Sequence, residues 1–501
     1  MNRQIAQLAL LGLALIGALI IATTYWQTWA AAGLADRQDN AIKLVAEFSI
    51  KRGLIRAADG EVLATNRKKR TKSGQTVYFR RYPTAGLFAH LVGYSTVSRS
   101  RTGLEASEND YLTGSNTNLK TIIDKTLTKL RGATLKGNDL WLTVKPRAQR
   151  IAMAQLAGKC GAAVALDPRT GAVLVMAARP TFNPNAIESN YGSISRIRAP
   201  CAPASPLLNR ATADVFTPGS SFKVVTATAA LDSGRYTSSS SFNDPGYCIE
   251  YGQKVHNFAD QNGPEVFGRV DFLQAFEHSI NAVFCNIGQA IGEQSILNAA
   301  KRFGFYKPPP LETPSSERKP SGLYDAKDRL FDPSKPQQVD VGRLAFGQGP
   351  ATAHPLVTPL QMAMVAAGVA NHGVVMRPYV VARVTAPGGG LVTRAHPRKY
   401  QRAMKATTAA TVNEMMQAVV TGGTGTAAQI PGIKVAGKTG TAETGGPGTP
   451  NTTWFVAFAP ADAPRVAVAV VLQNQTGAGG TTAAPIAKVI MESLLSGRSG
   501  S

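Results

Sequence analysis

Thr217-Pro218-Gly219-Ser220-Ser221-Phe222-Lys223-Val224-Val225-Thr226-Ala227-Thr228-Ala229-Ala230-Leu231 is the stretch on which the reading of this 501-residue chain turns. Pro218 and Gly219 force a turn, and the apolar run behind them predicts a helix over Ser221–Leu231. Ser220 then stands at a helix N-terminus, where the dipole favours a developing negative charge. Lys223 lies one turn along the same face, so its amine comes within reach of the serine oxygen. A serine hydroxyl is a poor nucleophile until a base takes its proton, and a desolvated lysine can take it. Taken alone, Ser-x-x-Lys is more often a capped helix start with a solvated lysine.

Two more short elements lift it out of that class. Ser279-Ile280-Asn281 falls within a predicted helix over Phe272–Ile291, where a second hydroxyl can relay a proton and an amide can hold the lysine or a substrate amide. Lys438-Thr439-Gly440-Thr441 follows a short strand pattern and precedes a Gly-rich turn. A cation flanked by hydroxyls on a strand edge suits a substrate carboxylate, and Gly440 lets a substrate backbone lie close. An N–H nearby, with that of Ser220, can form an oxyanion hole. The chain carries one decoy for each element: Ser316-Glu317-Arg318-Lys319 in a charged loop, Ser241-Phe242-Asn243 before a predicted turn, and Lys72-Ser73-Gly74 in a basic segment. Context rejects all three.

The bulk composition is that of a folded protein of two or three domains, with 44% hydrophobic and 17% charged residues. Net charge is +23, and Arg37–Arg150 holds 22 Lys or Arg against 9 Asp or Glu, a balance of +13. The densest run is Arg67-Lys68-Lys69-Arg70. No zinc-finger, RNP-like or basic heptad pattern accompanies it, so no nucleic-acid partner is expected. A solvated basic face or attraction to anionic lipid or wall polymer are the readings left open. Four cysteines, Cys160, Cys201, Cys248 and Cys285, allow three pairings. None has metal-ligand spacing, so no metal and no cofactor is expected.

Ile5–Tyr25 is apolar enough, and at about 31 Å long enough, to cross a membrane as a helix. Tyr25, Trp26 and Trp29 read as an interfacial belt. An uncleaved anchor is expected, with a signal peptide cut near Ala30-Ala31-Ala32 as the alternative. Charges flanking the span favour the short N-terminus inside and the bulk outside. Expected boundaries are 1–30 for the cytoplasmic stub and anchor, 31–155 for a small mixed pedestal domain, 156–495 for the catalytic domain and 496–501 for a disordered tail. In the pedestal, strands are expected at Val45–Ile50, Val77–Tyr82 and Leu140–Val144, with a helix near Leu119–Arg131. In the catalytic domain, Cys160–Ala177 reads as a hairpin, with further strands at Thr453–Phe458 and Val466–Leu472 and helices at Pro359–Ala370 and Ala484–Leu495. Residues 306–340 read as a surface loop. Antiparallel strands mixed with helices make an α+β fold.

The order Ser220-x-x-Lys223, Ser279-x-Asn281, Lys438-Thr-Gly is the pattern of penicillin-binding proteins and serine β-lactamases. The chain resembles the class B penicillin-binding proteins over nearly its whole length, and its size and cysteines look closest to actinobacterial-type homologues. Lys51–Gly60, Arg81-Tyr82-Pro83, Leu91–Tyr94 and Gly103-Leu104-Glu105 resemble the N-terminal motifs, while Ala163–Pro184 and Gly347–Gln361 resemble transpeptidase segments. It departs from the family at Arg56–Asp59 and at Lys145. The resemblance implies a peptidoglycan D,D-transpeptidase, an acyltransferase without cofactor, on the outer face of a bacterial plasma membrane. Ser220 would form the acyl-enzyme, Lys223 would deprotonate it, and Ser279 and Asn281 would assist. Lys438, Thr439, Gly440 and Thr441 would bind the donor. Implied partners are the wall stem peptide with its acceptor strand, β-lactams, and a polytopic glycan polymerase. A non-catalytic scaffold and a β-lactam-hydrolysing or sensing relative are the alternatives.

Overall fold

The computed structural model describes residues 2–25, 48–71, 74, 76–115, 135–201, 203–260, 263–335, 338–443 and 449–496. The expected helix near Leu119–Arg131, Trp26, Trp29, Ala30–Ala32, the decoy residues Lys72 and Ser73, and the tail beyond Ser496 lie outside them. Of the expected strand Val45–Ile50, residues 48–50 are described and are not in a strand.

The catalytic unit is built on a five-stranded antiparallel sheet: β1 (Cys160–Leu166), β2 (Val173–Arg179), β3 (Ala436–Glu443), β4 (Asn451–Ala459) and β5 (Val466–Gln475), in the order β3-β4-β5-β1-β2. Alternation along each strand sends side chains into two separate cores. Ala162, Val164 and Leu166 of β1 join one core with Trp454 and Val456. Ala163 and Ala165 join the other with Phe455 and Ala457. Because helices cover both faces, the strands read as unbroken apolar runs rather than as polar–apolar alternation. The first core holds helices α1 (Lys223–Asp232), α2 (Asn281–Ile291), α3 (Pro359–Ala370) and α4 (Ala406–Thr421). The second holds α5 (Gly479–Leu495) and the helix Pro146–Gln155. At about 1.5–3 kcal/mol for each fully buried aliphatic side chain, these layers supply most of the cohesion.

Helix α1 carries Val224, Val225, Thr226 and Thr228, whose branched side chains are weak helix formers. Burial overrides the propensity: Lys223 through Ala230 are all buried. Thr226 Oγ1 donates to the Ala345 carbonyl at 2.7 Å, and Thr228 Oγ1 to that of Val224 at 2.8 Å, so the hydroxyls are satisfied.

The pedestal is a six-stranded sheet to which the catalytic half of the sequence contributes. Ile55–Arg56, Val62–Arg70 and Thr76–Arg81 form its N-terminal part, with Asp139–Leu142 parallel to Ile55–Arg56. A hairpin from far downstream, Val381–Thr385 with Leu391–Arg394, then adds to Asp139–Leu142. Glu105 is wholly buried between Arg52 at 2.9 Å and Arg80 at 2.6 Å. Burial alone would raise its pKa, but the two guanidiniums prevail and hold it low.

Two local expectations are corrected. Residues 306–340 are not simply a surface loop: Gly322–Tyr324 lies in a three-stranded sheet with Leu330–Phe331 and His354–Leu356, and Leu311, Leu323 and Val339 are buried. The expected helix Phe272–Ile291 is two helices, Phe272–Glu277 and α2. Both disulfides are formed, Cys160 with Cys201 and Cys248 with Cys285, the latter tying a β-arm to α2.

Candidate active site

Ser220 sits in a tight 3-10 turn, Gly219–Phe222, that leads directly into α1, and it is half-buried while Ser221, Phe222 and Lys223 are buried. Gly219 has φ of +51°, and a Cβ there would stand 2.6 Å from the Thr441 carbonyl oxygen. Gly440 is its counterpart: a Cβ would stand 2.7 Å from the Pro218 carbonyl. Bare backbone at both positions lets the serine turn and strand β3 touch.

Ser279 occupies the break between the two helices with φ of +62°, unusual for a residue with a side chain. The Ile280 amide donates to the Ala275 carbonyl at 2.9 Å and the Ser279 amide to that of Phe276 at 3.2 Å, closing the first helix. The turn aims the Ser279 carbonyl at Lys223. Lys223 Nζ donates to that carbonyl at 2.5 Å and to Asn281 Oδ1 at 2.8 Å, and lies 3.3 Å from Ser279 Oγ. Phe284 and Phe346 wall the amine, with ring centroids 5.1 and 5.9 Å away. No ion pair joins it to a carboxylate among the described residues.

Lys438 is fully buried on β3, its ammonium 5.6 Å from the Phe276 ring centroid and 3.4 Å from the Thr439 carbonyl. Burial pulls its pKa from 10.5 to about 7. Lys223 is pushed well below the ordinary lysine value, first by burial and then by the charge of Lys438. Among the described residues neither buried amine is paired with a carboxylate, and burial lowers the proton affinity of both.

The sequence-derived groups therefore meet from three separate elements, joined by hydrogen bonds at Lys223 and by backbone contact at Gly219 and Gly440. Ser316 and Lys319 are exposed on a turn. Ser241-Phe242-Asn243 lies in a strand paired with Gly268–Asp271, immediately before the bend at Pro245-Gly246. Three supporting residues were not foreseen. Thr424 Oγ1 lies 2.6 Å from Thr439 Oγ1, Trp454 Nε1 donates to the Thr217 carbonyl at 2.9 Å, and Phe346 walls Lys223. The small-residue run Gly422-Gly423-Thr424-Gly425 marks a close approach and was the available signal for the first.

A family model for the penicillin binding protein transpeptidase domain matches residues 161–492, and one for the penicillin binding protein A dimerisation domain matches residues 52–140. The chain belongs to the penicillin-binding proteins. Within class B it is a serine-type peptidoglycan D,D-transpeptidase. It is 32% identical over 520 aligned residues to the peptidoglycan D,D-transpeptidase PbpA of Mycolicibacterium smegmatis, covering 99% of each chain. The Mycobacterium tuberculosis PbpA is also 32% identical, over 99% of this chain and 100% of that one. Among solved structures, penicillin-binding protein A from M. tuberculosis as a ceftriaxone acyl-enzyme has a TM-score of 0.77 at 30% identity, covering 90% of this chain and 100% of that one. The D,D-transpeptidase domain of a peptidoglycan glycosyltransferase from Eggerthella lenta has a TM-score of 0.74 at 34% identity, covering 89% and 98%. The helix Asn2–Tyr25 contains a 19-residue apolar span, Gln7–Tyr25, and this penicillin-binding protein is membrane-anchored.

Proposed function

We infer that Ser220 is the nucleophile and Lys223 its base in cross-linking wall stem peptides that end in D-Ala-D-Ala. The observation that carries this is the setting of Lys223: fully buried, held by Ser279 and Asn281, with no carboxylate paired to it among the described residues. A neutral amine there takes the Ser220 proton as Oγ bonds to the carbonyl carbon of the penultimate D-Ala. The peptide C–N bond breaks, and the terminal D-Ala leaves as an amine with that proton, relayed through Ser279. An amine of a second strand then attacks the ester, forming the cross-link and returning the proton to Ser220. The amides of Ser220 and Thr441 supply the oxyanion hole.

Lys438 with Thr439 and Thr441 receives the donor carboxylate. An incoming anion favours the charged form of an amine poised near pH 7, so binding charges Lys438 where it is needed. β-Lactams enter as mimics and acylate Ser220. The catalytic unit works on the outer face of the membrane, a compartment that suits two disulfides. The family resemblance supports a polytopic glycan polymerase as partner.

Fluorescent penicillin tests the assignment: the full chain in detergent carries the label covalently, and Ser220→Ala carries none. Undiminished labelling of the Ala variant refutes the nucleophile. Rapid release of hydrolysed drug from the native chain shifts the reading to hydrolysis.

A further inference from the structure

We propose that the hairpin Val62–Arg70/Thr76–Arg81 is a membrane-docking ribbon that seats the pedestal on anionic lipid headgroups. Its residues pair in register from Thr65↔Arg81 to Arg70↔Thr76. Arg67, Lys68, Lys69 and Arg70 are all exposed, on both faces of the ribbon, so its distal half projects beyond the core. None of the four forms an ion pair with a described residue. Cross-strand partners share a face. One face therefore carries Arg67, Lys69 and the exposed Arg81 around half-buried Val77 and Phe79. Cations around a small, half-buried apolar centre suit a headgroup layer, where the charges meet phosphates.

Position supplies the second argument. Phe48, the first described residue after the membrane-spanning helix, packs its ring against Phe79 with centroids 5.6 Å apart. The ribbon is thus packed against the residue that stands 23 positions after the end of the apolar helix at Tyr25. The ribbon's root is rigid, because Arg80 is locked on buried Glu105 at 2.6 Å, so the cations are presented by a fixed base. The expected result is a pedestal held at a defined tilt, with the catalytic cleft at a set height above the bilayer. This role is independent of the acyl-transfer chemistry.

The test uses the full chain in lipid nanodiscs and reads acetylation of Lys68 and Lys69 by mass spectrometry, with exposed Lys254 as internal reference. Each Lys or Arg near an anionic surface is worth roughly fivefold in occupancy. Reactivity of Lys68 and Lys69 is expected to fall at least fivefold in discs containing about a third phosphatidylglycerol relative to pure phosphatidylcholine, and to recover at about 1 M salt, where the Debye length is about 3 Å. The variant R67Q/R70Q, which keeps both reporter lysines, is expected to lose most of that protection while labelling normally with penicillin. Equal reactivity in the two discs overturns the proposal, as does full protection of the variant. Protection that requires an added anionic wall polymer in phosphatidylcholine discs overturns it in favour of a wall contact.

Discussion

Lys438→Met should make the enzyme more stable and abolish its reaction with penicillin. Lys438 is fully buried, and among the described residues its ammonium meets only a weak hydrogen-bond acceptor, the Thr439 carbonyl at 3.4 Å, and the Phe276 ring with its centroid at 5.6 Å. Taking it from 10.5 in the unfolded chain to about 7 in the folded one, at about 1.36 kcal/mol per pH unit, is a penalty of about 5 kcal/mol. A lysine with a lowered folded pKa binds fewer protons folded than unfolded, so stability rises with pH between the two values. The penalty is fully present below about pH 7 and is gone above about 10.5. Methionine keeps the unbranched chain packed near Phe276 and removes the charge, at a repacking cost below about 1.5 kcal/mol. We expect a net gain of about 2–5 kcal/mol at pH 7, which at about 2 °C per kcal/mol for a domain of this size is a melting point higher by about 4–10 °C. Thermal unfolding followed by tryptophan fluorescence at pH 7, 8.5 and 10 checks this, with the difference shrinking as pH rises. A variant no more stable than the native chain at pH 7, or a difference that does not change with pH, refutes the desolvation argument.

Three more outcomes follow from single contacts. Ser279→Gly relieves a positive φ and should raise stability by about 0.5–1 kcal/mol, yet slow acylation at least tenfold because the relay hydroxyl is gone; stopped-flow penicillin kinetics measured alongside denaturant unfolding separates the two effects. Glu105→Gln leaves Arg52 and Arg80 buried against a neutral group and should cost about 3–5 kcal/mol in pedestal stability, a loss below about 1 kcal/mol in urea unfolding being the contrary result. Gly440→Ala drives a methyl to 2.7 Å from the Pro218 carbonyl and should reduce penicillin labelling more than a hundredfold with little change in far-UV circular dichroism; normal labelling would show that β3 and the serine turn are not rigidly apposed.

The sequence alone determined a good deal. Local chemistry located the serine turn, because Pro218 and Gly219 leave few conformations and the apolar run behind them has nowhere to go but the core. It located β1, β2, β4 and β5 as well, because a sheet covered on both faces needs unbroken apolar runs. It marked Gly440, whose lack of a side chain matters only where two backbones touch. Other features depend on residues remote in the chain. Nothing between Glu277 and Asn281 announces a helix break: no Gly or Pro is present, and Ser279 adopts its left-handed turn where its carbonyl meets an amine 56 residues away. Likewise Val381–Arg394 is an ordinary hairpin in sequence and becomes pedestal only by pairing with Asp139–Leu142. The cysteine pairing and the meeting of Thr424 with Thr439 were settled in the same way. The sequence named the candidate residues for acyl transfer. Only the tertiary structure removed water from Lys223 and Lys438, and the protonation of an amine is set by its surroundings.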